Sequence, residues 1–355
     1  MNCAKKKIVY IYPTNNSSNK YSALQEEAVR RAGYQLAFSF KQFFKIDAFI
    51  LNWFETLGKG YRLEYLKKIL KLFLFRVFRK KVFWVVHNRA PHQSKNGRSK
   101  VDEYSRRLMK ALLKRSYKII VLCDETSSVL QDLSGRMDLY ESKIVKIPHP
   151  NYIGAYEESK STAACPSINN RKVKFLFIGA VKPYKNIDLL VDCFNQLDGK
   201  NAQLLICGKC YDSNYEAELK SKITNPNIRC DFRFVPDQDL VQLICQNDIL
   251  ILPYSMASSL NSGTIILAFS NHKTVISPLI GTLKEYKDKN FFYSYEYDSQ
   301  EDHKACLLKQ INTVLADVKK NPDCLAQKGK IVYDEVLKNN SLQTVSDLYK
   351  QILDW

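Results

Sequence analysis

No stretch of this 355-residue chain approaches the ~18–20 consecutive apolar residues that a membrane-spanning helix needs. The apolar run at residues 8–13, behind Lys5, Lys6 and Lys7, is too short for a secretory signal and reads as a buried strand. Repeats and low-complexity tracts are missing too, which excludes solenoid and fibrous architectures. The ten cysteines are scattered, mostly inside apolar runs such as 121–123 and 205–207, so buried reduced thiols and a reducing compartment are expected. Cys207-Gly-Lys-Cys210 has the spacing of a metal or redox pair, but the second pair of a structural metal site is lacking.

Acidic residues are scarce in one half only. Up to Pro150 there are 30 Lys/Arg against 12 Asp/Glu, and the 24 of each that remain cancel, so the whole net charge of +18 sits in the first half. That half is expected to face an anionic partner. No nucleic-acid recognition module accompanies the charge, which favours phospholipid headgroups over nucleic acid.

Short β-branched and aromatic runs alternate with longer amphipathic stretches. Strands are expected at 8–13, 48–52, 82–87, 119–123 and 144–147, with helices at 21–32, 61–78, 100–114 and 125–133. A polar, aperiodic linker at 155–171 interrupts the pattern. It resumes with strands at 173–179, 203–208, 229–234, 249–253 and 274–277. The fold class is therefore α/β, with two doubly wound, Rossmann-like domains facing across a cleft. The expected division is 1–154 for acceptor binding, 155–171 as linker, 172–340 for the nucleotide sugar, and 341–355 as a helix that could return to the first domain.

The second half holds a phosphate-binding pattern. Strand 173–179 ends at Gly179, Lys182 and Lys185 follow, and a helix opens near Asn186. Two ammonium groups and a helix N-terminus suit a diphosphate. Farther on, Tyr254 closes a strand, and Asn261, Ser262, Gly263 and Thr264 lead into another helix, whose first-turn N–H groups are free for phosphate oxygens. Asp237-Gln-Asp239, behind Pro236, suits the start of a helix better than a metal site.

Gly179-x-x-Lys-Pro-Tyr-Lys-Asn-Ile-Asp-Leu-Leu resembles the donor loop of glycosyltransferase family 4 and its GT-B relatives. Asn261-Ser-Gly-Thr, followed by residues 273–278 and Gly281-Thr-Leu-Lys-Glu285, resembles their second donor segment. Lys185 falls at the family lysine, and Lys182 substitutes for the arginine whose place Ala180 takes. The family's two glutamates align with Ser259 and Leu267, so this chain looks like a subgroup of bacterial polysaccharide enzymes with a Ser-Gly turn instead. Asn19-Lys-Tyr21, Asn52-Trp53-Phe54-Glu55, His87-Asn88-Arg89-Ala90-Pro91-His92 and Pro148-His149-Pro150 resemble that subgroup in order and spacing.

The resemblance implies transfer of a hexose from a UDP- or GDP-sugar to a membrane-bound, lipid-linked saccharide, in the cytosol at the inner face of the membrane. It implies retention of configuration; no metal or other cofactor is expected, because two lysines and a helix N-terminus can supply the positive field. Glu285 joins the donor residues, and Asn19, Asn52, Trp53, Asn88, His92 and His149 the acceptor side. His87, ending a strand, could orient the acceptor hydroxyl, contact the sugar or take a proton; it could equally be buried and bonded to backbone. Two other readings share the architecture: a sugar-nucleotide epimerase, which needs cleft carboxylates that the sequence does not reveal, and a catalytically degenerate membrane-bound partner subunit.

Residues 61–81 are both cationic and apolar. At 100° per residue, Leu63, Leu66, Ile69, Leu70, Phe73, Leu74 and Val77 form one stripe, expected against the sheet. Lys67, Lys68 and Lys71, interleaved with Leu72, Phe75 and Phe78, are then expected to face anionic lipid.

Overall fold

A computed structural model describes residues 6–354 except 15–18, 59, 90–99, 157–167, 170 and 287–289. His92 and most of the expected linker lie outside the described residues. The chain divides into two compact units, one made of residues 1–150, 258–261 and 339–355, the other of 151–257 and 262–338.

The first unit runs β1 (Ile8–Tyr12), α1 (Lys20–Arg31), β2 (Gln35–Ala37), β3 (Ala48–Asn52), α2 (Tyr61–Val77), β4 (Lys81–Val86), α3 (Lys100–Arg115), β5 (Lys118–Val121), α4 (Thr126–Ser134) and β6 (Ile144–Lys146). All pairings in its six-stranded sheet are parallel, in the order β2-β1-β3-β4-β5-β6. Strands buried on both faces read as unbroken apolar runs, which is how β3 and β4 are written. Alternate residues then serve opposite faces: Phe49, Trp84 and Val86 join one core, and Ile50, Phe83 and Val85 the other.

The second unit runs β7 (Val173–Ile178), α5 (Ile187–Phe194), β8 (Ala202–Cys207), α6 (Ser213–Lys222), β9 (Ile228–Asp231), α7 (Asp237–Cys245), β10 (Ile249–Ile251), α8 (Gly263–Ser270), β11 (Val275–Pro278), α9 (Gly281–Lys284), β12 (Tyr293–Tyr295), α10 (Gln300–Lys320) and α11 (Cys324–Asn339). Its parallel strands stand in the order β12-β11-β10-β7-β8-β9. Counted within the unit this is the doubly wound 3-2-1-4-5-6 order, which reverses between β7 and β10. The loops leaving those two strands carry Gly179 to Lys185 and Tyr254. A ligand crevice is expected at that reversal.

The last helix, α12 (Leu342–Leu353), belongs to the first unit, where Val345, Tyr349 and Leu353 share a core with Ala28 and Val29 of α1.

The orientation of α2 overturns the expected one. Leu72 and Phe75 are 1% and 2% exposed, and Phe75 stacks on Phe49 with ring centroids 4.2 Å apart. Lys68 is buried with them, where its ammonium donates to the Thr56 carbonyl (2.6 Å) and pairs with Glu64 (2.8 Å). Lys71 is half-buried, 5.0 Å from the Phe40 ring centroid. Of the six residues expected on lipid, only Lys67 and Phe78 are exposed. Five of the seven residues expected against the sheet point outward instead, Leu63, Leu66, Leu70, Phe73 and Val77 being 53–61% exposed, while Ile69 and Leu74 do pack on the core. Apolar residues nearly encircle this helix, so its period could not choose a face. The cluster of Phe40, Phe43, Phe49 and Phe75 rings chose it.

Candidate active site

In the second unit, the loop after β7 begins with Gly179 at φ +135°, a conformation that L side chains rarely adopt. A Cβ on Gly179 would stand 2.9 Å from the Lys185 ammonium, so the missing side chain makes room for the lysine. Gly208, after β8, comes closer still: its Cβ would meet the Gly179 carbonyl oxygen at 2.2 Å. The two loops continue in contact through Val181 N–H to the Lys209 carbonyl (3.0 Å). Pro183–Lys185 form a 3-10 turn, and Asn186, left-handed at φ +53°, leads into α5. The Asn186 amide donates to the Pro253 carbonyl (2.9 Å), which ties this loop to the one leaving β10.

Tyr254 joins the two halves of the expected phosphate site. The Lys185 ammonium lies 5.9 Å from its ring centroid and 5.7 Å from that of Phe177. On the other side, the Ser262 hydroxyl donates to the Tyr254 oxygen (3.1 Å) and caps α8 by accepting from Ile265 N–H (3.2 Å). Ser262 N–H donates to Thr282 Oγ1 (2.9 Å) at the start of α9. Tyr297 holds the same loop from outside, accepting from Met256 N–H (3.0 Å) and donating to the Tyr254 carbonyl (3.3 Å). Burial, and then the nearby Lys182 charge, push Lys185 down to about 8. A half-desolvated ammonium among aromatic rings gains most from an anion.

Gly179, Lys185, Tyr254, Ser262, Gly263 and Thr264 are thus assembled in one unit, with Lys182 exposed at the loop's edge. Glu285 is exposed at the end of α9. Asn261 goes elsewhere, into the first unit, where its amide donates to the His87 carbonyl (3.0 Å). Leu267 is part of the second unit's core and Ser259 is buried, and neither is a carboxylate. Asp237 and Asp239 lie in the first turn of α7, behind Pro236 at the cap position; they favour the helix dipole without capping by side chain. Among the described residues no group of three His, Cys, Asp or Glu is placed to hold a metal, and none of the eight described cysteines is in a disulfide.

In the first unit His87 follows β4 and is buried. Its ring stacks on Trp53 (4.1 Å, 19°) and meets Tyr21 edge-on (5.1 Å), and Tyr21 also contacts His149 (4.9 Å). Trp53, after β3, sits at φ +47°, where a bulky residue is an outlier held by its surroundings. Both protons of the Asn52 amide are committed, to the Tyr12 carbonyl (3.0 Å) and to Gln25 Oε1 (2.7 Å). Its Oδ1, 3.0 Å from His87 Nε2, is therefore an acceptor, so His87 carries its proton on Nε2 and a lone pair on Nδ1. Gln25 in turn donates to the Tyr349 hydroxyl (2.6 Å) on α12. Burial, reinforced by His149, pushes His87 down to about 3, and burial pushes His149 to about 4. His149 Nδ1 donates to the Pro150 carbonyl (2.7 Å). Asn19 accepts from Tyr21 N–H (3.0 Å) and so caps α1, and Asn88 is half-buried beside His87.

Sequence reasoning missed Gln25, Tyr349 and Tyr297. Gln25 and Tyr349 are 324 positions apart, and no local pattern announces such a bond.

The buried imidazoles give a pH prediction. His87 is neutral when folded down to about pH 3, whereas the unfolded chain protonates it below its ordinary value near 6.5. The unfolded state then binds the extra proton, so stability must fall as pH drops from 6.5 towards 3, by up to about 1.4 kcal/mol per pH unit. Urea midpoints followed by Trp53 and Trp84 fluorescence at pH 7, 6 and 5 should fall in that order. A flat series would contradict the buried, neutral His87.

Residues 162–290 match the family of glycosyl transferases group 1. No curated protein matches the chain. Among solved structures, HepE from Anabaena, with UDP and glucose, is similar over 99% of this chain and 100% of its own (TM-score 0.70, 12% identity). Sucrose-phosphate synthase from Thermosynechococcus elongatus is similar over 99% and 100% (TM-score 0.71, 13% identity), and a glycosyltransferase from Rickettsia africae over 99% and 99% (TM-score 0.61, 16% identity). At such identities the structural likeness establishes the GT-B fold. With the family match to the second unit's donor segments, it supports a glycosyltransferase enzyme.

Proposed function

We propose that this chain, a glycosyltransferase of the GT-B fold, moves a hexose from a UDP- or GDP-sugar to a lipid-linked saccharide at the inner face of a membrane, in the synthesis of a cell-surface polysaccharide. The observation that carries the reading is the Lys185 ammonium beside Gly179 and the Tyr254 ring, with the Ser262 hydroxyl bonded to the oxygen of that tyrosine, at the strand-order reversal of the second unit. Lys185, assisted by Lys182 and the N–H groups opening α8, binds the donor diphosphate and stabilises it as it leaves. No divalent ion is required, because these groups supply the positive field.

Transfer proceeds with retention. The sugar–diphosphate bond opens, the acceptor oxygen attacks the same face of the sugar, and a departing phosphate oxygen accepts the acceptor's proton. His87 orients rather than attacks: its Nε2 proton is held by Asn52, and its neutral ring lies under Trp53.

A panel of UDP- and GDP-hexoses, incubated with a lipid-linked saccharide in EDTA, tests the reading. Glycosylated lipid whose new linkage keeps the donor's anomeric configuration by NMR is the expected product. Donor binding with neither transfer nor hydrolysis would point instead to a non-catalytic partner subunit, a reading that Leu267 in place of a glutamate favours.

A further inference from the structure

The outward face of α2 is apolar where water would favour charge. Leu63, Leu66, Leu70, Phe73 and Val77 recur every three or four residues and fall within an arc of roughly 80° on the helix surface. Exposed cations border both edges, with Lys67 on one side and Arg62 and Arg76 on the other. At the C-terminal end of α2 the exposed rings of Phe44 and Phe78 meet edge to face (5.3 Å) and prolong the strip, beside exposed Lys41, Lys45 and Arg79. Glu64, the one acidic residue of α2, is committed to Lys68 and to Gly58 N–H (3.0 Å). The strip therefore meets its surroundings as a greasy ridge bordered along α2 by exposed cations.

We infer that this ridge docks on an anionic lipid bilayer, with α2 lying in the interfacial plane. The aliphatic and phenyl groups enter the acyl boundary, and the arginines and lysines meet headgroup phosphates. Charge complementarity selects this occupant. A second copy packed ridge to ridge would bring the exposed cations of two α2 helices together, and the one carboxylate of α2, Glu64, is already committed. Nucleic acid would satisfy the cations but leave five large apolar groups in water. A helix of 17 residues is about 26 Å long, enough to spread the ridge along the surface. No helix among the described residues is long and apolar enough to cross a membrane. The inference deepens the lipid-linked-acceptor reading, since docking would confine the enzyme to the plane that holds its acceptor, but vesicle binding can be measured without turnover.

The test uses the purified full chain and sedimentation with phosphatidylglycerol/phosphatidylcholine vesicles, against phosphatidylcholine alone. The chain should bind the anionic vesicles, and high salt should weaken the binding, because headgroup attraction is screened within a Debye length. Leu66→Glu/Leu70→Glu should lower vesicle affinity at least tenfold, and Lys67→Glu/Arg76→Glu should do the same on anionic vesicles. Both pairs are solvent-exposed, so melting temperature and UDP affinity should stay as in the parent. Equal binding to neutral and anionic vesicles, or anionic binding untouched by Leu66→Glu/Leu70→Glu, would overturn the proposal. So would a dimer in solution that this double variant splits while vesicle binding is absent. Transfer to a water-soluble acceptor, run in parallel, separates the two ideas: its presence without vesicle binding sinks only the docking face, and vesicle binding without transfer sinks only the enzymatic reading.

Discussion

Lys185→Ala is expected to weaken UDP or GDP binding by roughly 1.5–3 kcal/mol, a loss of more than tenfold in affinity, because it removes a charge-assisted bond to the diphosphate. The ammonium sits over two rings and beside a glycine, partly withdrawn from solvent. Lys182→Ala should cost less, since an exposed charge contributes about 0–1 kcal/mol. The parent should also show a pH dependence that the variant lacks. Free Lys185 loses its proton near pH 8, well below the ordinary lysine value, and a bound diphosphate favours the charged form. Above pH 8 binding must take up a proton, so affinity should fall by up to about tenfold per pH unit. Calorimetric titrations with UDP at pH 7 and 9 measure both effects. Equal affinity in parent and Lys185→Ala, or parallel pH profiles, would remove Lys185 from the diphosphate site.

The parts of this site that were legible in the sequence are the parts built from consecutive residues. Gly179, Lys182 and Lys185 share one strand–loop–turn, and Ser262 and Gly263 share one helix start, so spacing alone announces them. That Tyr254 would stand between Lys185 and Ser262 follows from β10 lying beside β7, a strand order that no local pattern contains. Asn261 adjoins that helix start in sequence yet turns its amide to His87, a partner 174 positions away. In the first unit the strand ends at Asn52 and His87 were readable, but the bonds that assign the His87 tautomer arrive through Gln25 and Tyr349. The short strands β2 and β12, three residues each, left no alternation to detect. Helix α2 was legible as a helix and misread as a surface, because both of its faces are apolar and only the phenyl cluster beneath it decides which is inside.

That decision predicts opposite outcomes for two phenylalanines two positions apart. Phe75→Ala should destabilise the first unit by about 3–5 kcal/mol, the range for removing a buried aromatic ring and leaving a cavity. Its ring stacks on Phe49 and Phe43 and is almost fully enclosed, and Leu72 beside it gives little freedom to collapse into the gap. Phe73→Ala removes the same atoms from a side chain 53% exposed, and its effect should stay within about 0.5 kcal/mol. Trp84 belongs to the same core as Phe75, so its fluorescence in a urea titration reports this unit directly. The two variants should exchange ranks on vesicles: Phe73→Ala, folded as the parent, should bind anionic lipid more weakly, while Phe75→Ala, studied where it remains folded, should bind as the parent does. Were Phe75→Ala to keep the parent's stability and lose lipid binding, α2 would lie the other way round. The ridge of Leu63, Leu66, Leu70, Phe73 and Val77 would then be packed on the sheet, and the lipid face would fall to Leu72, Phe75 and Lys68.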